Sequence, residues 1–374
     1  MKDKSTIAVH AGANSDRNTG GINTPLILSS AYEYLDQPEV RYPRYFNTVN
    51  HDAVAKKLCA LEGAEAGMVL ASGMAAISSL FLAILKQGDH VVFFDGLYGG
   101  THDFVSSEFA PRGIEYDFAG INATDIIAAV RENTRLIYVE SPANPLMDIV
   151  DLASIADFCR EQGIVTAIDN TFASPILQNP VSLGFDLVMH SATKYLGGHS
   201  DLCCGALLGS KALMDKVLPQ AIRYGGSPDA HLCWLLERSL KTLAIRVQRQ
   251  SDNAMAVALA LEGQRGIKAV LYPGLQSHRG HEIAKKQMSG FGGMLSFELA
   301  EGIDPVVYQR RLQLVVPAVS LGGVESTICQ PVMTSHAKMP AAERHRLGIT
   351  ANLLRLSTGI EAVEDIVDDL LQAL

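Results

Sequence analysis

The chain is poor in the features that mark several protein classes. It has only six cysteines, at positions 59, 159, 203, 204, 233 and 329, with no C-x-x-C pair and no histidine at zinc-ligand spacing. Neither a disulfide framework nor a metal site is expected, and buried thiols suit a reducing, cytoplasmic setting. There is no run of five basic residues, and 31 Lys and Arg stand against 40 Asp and Glu, a net charge of −9. That balance excludes a general electrostatic grip on nucleic acid or anionic lipid. No G-x-G-x-x-G follows an early strand pattern, which argues against a dinucleotide-binding dehydrogenase. Three charged residues within Met1–Lys4 lead into no apolar run, so no secretory signal is expected.

An uncharged stretch does exist, Ala66–Leu85, 20 residues long and therefore of membrane-spanning length. It is interrupted by Ser72-Gly73 and by Ser78-Ser79, and reads instead as a strand, a tight turn and a helix.

What remains is a chain of 374 residues, 48% apolar and 19% charged, long enough for a large α/β unit with a smaller companion. From about residue 50 to 230, short β-branched runs alternate with helical patterns, the signature of a mainly parallel sheet covered by helices. The strand candidates are 68–70, 91–94, 136–139, 165–168, 187–189 and 206–208. The helical patterns fall at 52–61, 75–85, 124–131 and 152–162, the last capped by Gly163. Before residue 50 the chain reads as an extended arm. A long helical region over 230–261 leads to strands near 293–299 and 353–356 and a closing helix over 364–374.

In open parallel sheets, ligands bind beyond the carboxyl ends of the strands, which draws attention to three segments. They are Glu140-Ser141-Pro142-Ala143-Asn144-Pro145, Asp169-Asn170-Thr171 and His190-Ser191-Ala192-Thr193-Lys194. Lys194 offers an amine for imine formation with an aldehyde, and Ser191 and Thr193 offer hydroxyls to a phosphate. A lone lysine is usually a solvated surface group, but this one follows an apolar strand and precedes Gly197-Gly198. Asp169 provides a carboxylate that could keep a pyridinium nitrogen protonated; alone it would read equally well as a polar strand end. Ser72-Gly73-Met74 opens a helix after a short strand, where free N–H groups favour phosphate, although Ser-Gly is also an ordinary cap. Tyr98, in a Gly-rich turn, could stack on a flat ring.

Together these segments resemble the motifs of the Cys/Met-metabolism (trans-sulfuration) family of pyridoxal 5′-phosphate (PLP) enzymes, which includes cystathionine γ-synthase, the cystathionine β- and γ-lyases and methionine γ-lyase. Ser191-Ala192-Thr193-Lys194-Tyr195-Leu196-Gly197-Gly198-His199-Ser200-Asp201 is similar to the family's lysine motif, and the match spans nearly the whole chain. The resemblance implies PLP bound covalently to Lys194, with Ser72, Gly73, Met74, Ser191 and Thr193 at its phosphate, Tyr98 stacked on its ring and Asp169 at its ring nitrogen. Tyr42 and Arg44 match a motif that reaches the phosphate from a neighbouring subunit. Ser320 and Arg355, assisted by Asn144, would hold the substrate carboxylate.

The fold implied is that of aspartate aminotransferase (fold type I): an arm over 1–48, a PLP-binding domain over 49–245 and a small C-terminal α/β domain over 246–374. The expected assembly is a homodimer or homotetramer with shared sites, acting on a small amino acid. The core motifs do not choose between β-elimination, γ-elimination and γ-replacement. Val319 is apolar where cystathionine γ-lyases and γ-synthases often carry Glu and so resembles methionine γ-lyases or sulfhydrylases, whereas Gly100 stands where methionine γ-lyases usually carry Cys. The loop Arg44-Tyr45-Phe46-Asn47-Thr48 lacks a proline the family usually has after Asn. The favoured expectation is γ-elimination from a sulfur-containing or related γ-substituted amino acid.

Overall fold

A computed structural model describes residues 3–337 and 339–374. Two sheets organise them. The larger contains β1 (Ala66–Leu70), β2 (His90–Phe94), β3 (Glu115–Ala119), β4 (Thr134–Glu140), β5 (Val165–Asp169), β6 (Leu187–His190) and β7 (Gly205–Gly209). Its strand order is β1-β7-β6-β5-β4-β2-β3. Only β7 runs against its neighbours, so the sheet is mainly parallel, as the sequence pattern predicts. Strands covered on both faces have no polar side to show. Accordingly, every residue of β2 and β6 is buried.

The stretch of membrane-spanning length resolves into β1, the cap residue Ser72 and the helix Gly73–Ile84. No helix among the described residues is long and apolar enough to cross a membrane. The Gly163 cap is present, with φ +67° closing the helix Leu152–Gln162.

Some elements depart from the sequence reading. Strand β3, Glu-Tyr-Asp-Phe-Ala, is a sheet edge with alternating, half-exposed residues, and a search for continuous apolar runs passes over it. The helices Gly99–Glu108 and Lys211–Tyr224 lie outside the helical patterns read from the sequence. The helical region 230–261 is two helices, Ala230–Leu240 and Leu243–Leu261, parted at Lys241-Thr242. Within the expected arm, residues 4–10 form a helix seated on the helix Val49–Glu62, where the buried Lys57 Nζ donates to the carbonyls of Ala8 and Val9. Beyond it, residues 11–42 hold no helix and no strand longer than an isolated bridge.

The second sheet comprises β8 (Ile267–Leu271), β9 (Met294–Leu299), β10 (Val316–Pro317), β11 (Thr327–Cys329) and β12 (Leu353–Ser357), in the order β10-β11-β12-β9-β8. Its own apolar cluster, including Leu295, Phe297, Tyr308, Leu354 and Leu356, packs beneath the closing helix Val363–Gln372. This sheet matters to the site because β12 delivers Arg355 and the loop after β10 delivers Ser320.

Candidate active site

The parallel register brings strand ends side by side. Glu140 of β4 lies opposite Asp169 of β5, and Asp169 opposite Met189 of β6. Beyond these ends opens a cavity of about 620 Å³. Its walls include Ser72, Gly73, Met74, Tyr98, Asn144 and Asp169, together with Ser191, Thr193, Lys194, Ser320 and Arg355. Residues 283 positions apart in sequence, from Ser72 to Arg355, thus meet in one place.

At the phosphate-like end, Ser72 caps the helix Gly73–Ile84 by accepting the Ala75 N–H at 3.1 Å. The N–H groups of Gly73 and Met74 lie in the first turn, where a helix has no internal partners for its donors and favours anions. Gly73 allows close approach there: a Cβ would come to 3.0 Å from the Ser191 Cβ and 3.1 Å from its Oγ, tighter than ordinary contact. Thr193 is less free than its motif implies, because its hydroxyl bonds the Cys204 backbone, donating to the carbonyl at 3.2 Å and accepting the N–H at 3.1 Å.

Asp169 is buried, and its Oδ1 accepts the Thr171 N–H at 3.0 Å. Among the described residues its other oxygen has no hydrogen-bond partner, leaving an acceptor on the cavity wall. Burial raises its proton affinity; the Thr171 donor and Lys194 oppose that rise. Lys194 is half-buried, and its Nζ donates to Ser320 Oγ at 2.8 Å. Burial, and then the Arg355 charge, lower the pKa of this amine from 10.5 and so favour its neutral, nucleophilic form. Ser320 is held in the left-handed region at φ +76°, a conformation that costs a non-glycine residue energy and that functional sites often retain.

Arg355 is 5% exposed, yet no carboxylate among the described residues forms an ion pair with it. Its Nη1 donates to Asn144 Oδ1 at 2.8 Å and its Nη2 to the Ser320 carbonyl at 3.2 Å. A buried guanidinium held only by neutral acceptors is costly unless an anion joins it. A small-molecule carboxylate matches its planar fork.

The residues present therefore fit PLP: a glycine-lined helix start for the phosphate, a flat tyrosine face, a buried acceptor for the ring nitrogen and an amine for the aldehyde.

Tyr42 and Arg44 do not line this cavity. They lie exposed on the surface, the Arg44 guanidinium 5.8 Å and 5.4 Å from the ring centres of Tyr42 and Tyr45, with its Nη1 donating to the Ile222 carbonyl. His190, at the end of β6, faces away from the cavity and bonds the buried Glu62 at 2.6 Å. Wall residues without a role in the sequence reading include Glu140, Thr171, whose Oγ1 accepts the Ser191 N–H at 2.8 Å, and Cys203. The first two lie in the strand-end segments already singled out, so position beyond a strand was signal enough to find them.

Residues 5–374 match the model of the Cys/Met metabolism PLP-dependent enzyme family. The chain belongs to this family. It is 41% identical to a cystathionine β-lyase of Lactococcus lactis subsp. cremoris over 379 aligned residues, covering 100% of this chain and 99% of that one. To a cystathionine γ-lyase of Bacillus subtilis it is 39% identical, covering 99% of each. The crystal structure of cystathionine γ-lyase from Lactobacillus plantarum complexed with L-serine superposes with a TM-score of 0.96 at 35% identity, covering 99% of this chain and 98% of that one. The protein is accordingly a PLP-dependent enzyme of trans-sulfuration, with the aspartate aminotransferase-like α/β architecture and PLP as its cofactor.

Proposed function

We propose that the protein is a carbon–sulfur lyase that carries out γ-elimination on sulfur-containing or related γ-substituted amino acids, releasing a 2-oxoacid and ammonia. The observation that carries this reading is the make-up of the cavity lining, which joins the unpaired Arg355 to the apolar side chains of Val319, Leu321 and Met333, suited to a thioether. Lys194 lines the same space.

In this reading Arg355 takes the substrate carboxylate in a bidentate grip, with Asn144 fixing the guanidinium and Ser320 adding its hydroxyl. PLP, when bound through Lys194, supplies the electron sink that makes the α-proton acidic. Asp169 keeps the ring nitrogen protonated by remaining an anion beside it. The Lys194 amine, freed when substrate replaces it, takes the proton from Cα and returns protons at neighbouring carbons, for which a pKa below that of free lysine suits it. Tyr98 covers the ring and stands as proton donor to the departing sulfur. Ser72, Gly73, Met74, Ser191 and Thr193 hold the phosphate. Tyr42 and Arg44 complete that grip from the neighbouring subunit of a homodimer or homotetramer, and exposed apolar residues of the N-terminal segment, among them Ile22, Leu28, Tyr34 and Leu35, support such an assembly. The protein works in the cytoplasm, consistent with six free cysteines.

β-Elimination is the second reading, favoured by the similarity to a cystathionine β-lyase. Cystathionine separates the two. γ-Elimination gives cysteine, 2-oxobutanoate and ammonia; β-elimination gives homocysteine, pyruvate and ammonia. Assays with cystathionine, methionine, homocysteine and O-acylhomoserines test the proposal. Pyruvate as the main oxoacid would replace γ- by β-elimination. A thioether formed only when a thiol is added, with no oxoacid, would make the protein a γ-replacement synthase.

A further inference from the structure

Glu140 has no part in the chemistry above, yet it ends β4, is 4% exposed and stands in register with Asp169. Its two oxygens serve two different loops. Oε2 accepts the backbone N–H of Tyr98 at 2.9 Å, and Oε1 accepts that of Asn144 at 3.2 Å. Tyr98 presents the ring on the cavity wall, while the Asn144 side chain fixes Arg355. One carboxylate is thus the common anchor of the ring-covering loop and the carboxylate clamp.

Keeping this group in place is costly. Burial, and then the neighbouring Asp169, push the Glu140 carboxyl well above its ordinary range, against the pull of the two amides and of Arg355. A carboxylate so placed contributes little to stability by itself. Its chemistry suits the task, however, because an ionised carboxyl is acceptor-only and offers lone pairs to both sides. Glutamine would turn an NH₂ toward one of the two amides. Aspartate would withdraw the head by about 1.5 Å, the length of one C–C bond, and lose at least one contact.

We propose that Glu140 is a positioning residue whose carboxylate holds the Tyr98 and Asn144 backbones at a fixed separation, so that cofactor ring and substrate carboxylate are gripped in one geometry. It acts through Tyr98 and the Asn144–Arg355 pair. The proposal rests on the roles given above to Tyr98 and Arg355.

The test compares the holoenzyme with Glu140→Gln, Glu140→Asp and, as a control on the site itself, Arg355→Lys. The probe is L-alanine, which has no leaving group. Both Glu140 variants are expected to keep cofactor content and melting temperature, to bind L-alanine about tenfold more weakly, and to show altered visible circular dichroism of the cofactor, as loss of one anchoring hydrogen bond to a charged group implies. Their KM for substrate should rise more than kcat falls. A wild-type profile in Glu140→Asp alongside a defective Glu140→Gln would assign the effect to charge beside Asp169 and overturn the proposal. Wild-type binding and dichroism in both would also overturn it. If Arg355→Lys too binds L-alanine normally, the reading of the site falls first. Should neither Glu140 variant fold, hydrogen exchange of the wild type decides: amides of Tyr98 and Asn144 should gain protection together on L-alanine binding, and protection of only one refutes the common anchor.

Discussion

Replacing Arg355 with lysine keeps a positive charge in the same buried place and removes only the planar fork. In the protein, Nη1 and Nη2 are directed by Asn144 Oδ1 and the Ser320 carbonyl, which fixes the plane in which a carboxylate is received. A lysine ammonium presents a point charge and makes one strong contact where arginine makes two. A hydrogen bond between charged groups contributes about 1.5–3 kcal/mol. At about 1.4 kcal/mol per tenfold, kcat/KM should fall by about 12- to 140-fold, mostly through KM. Arg355→Ala removes the charge as well, and the loss rises to about 2–5 kcal/mol, or about 30- to 4000-fold. Steady-state kinetics on purified holoenzyme measures both, with cofactor absorbance confirming that PLP occupancy is unchanged. An unaltered KM in Arg355→Lys would refute the assignment of the substrate carboxylate to this guanidinium.

Asp169→Asn removes the anion facing the ring nitrogen; kcat is expected to fall by about 100-fold or more, or about 2.7 kcal/mol, while the melting temperature changes little. Gly100→Ala would place a methyl 2.5 Å from Tyr98 Cε1 and 3.2 Å from Met74 Sδ, so the tyrosine ring must shift, and weaker cofactor binding with altered visible dichroism should report it. Capture of PLP by the apoprotein should show a pH inflection below 10.5, because burial and then Arg355 disfavour the Lys194 ammonium. Removing the cation in Arg355→Ala should move that inflection upward. Asp369 is held below its usual pKa of 3.8: burial raises it, but the amides of Val315, Gln313 and Leu314 outweigh that. Its stabilisation is therefore present above about pH 4 and lost as pH falls through the lower folded value, so the melting-temperature deficit of Asp369→Asn should shrink on acidification. Mixing Arg44→Ala with Lys194→Ala subunits should restore about a quarter of wild-type activity by random pairing in a two-fold dimer, if each site borrows Arg44 from its neighbour.

Much of the site was legible because its residues sit where a parallel sheet must place them. Asp169 and Lys194 follow apolar strands, and the Ser72 cap announces a helix start. Arg355 could not be located from local pattern: it lies inside a strand of the second sheet, and only tertiary packing brings it to Asn144, 211 residues away. Family motifs supplied it instead. The position of Glu140 at a strand end is legible in the sequence, but its role is not. Its partners are backbone amides, which carry no residue identity, so no spacing of side chains reveals that one carboxylate serves two loops. Strand β3 was missed because edge strands alternate, and the break at Lys241-Thr242 because helical periodicity continues across it.

The mechanism depends on Lys194 as the residue that carries the cofactor. Borohydride reduction of the holoenzyme followed by peptide mass mapping tests it directly. One peptide, containing Lys194, should be enlarged by the reduced pyridoxyl phosphate group, with no such label in Lys194→Ala. Label on a different lysine, or an equal label in Lys194→Ala, would contradict it.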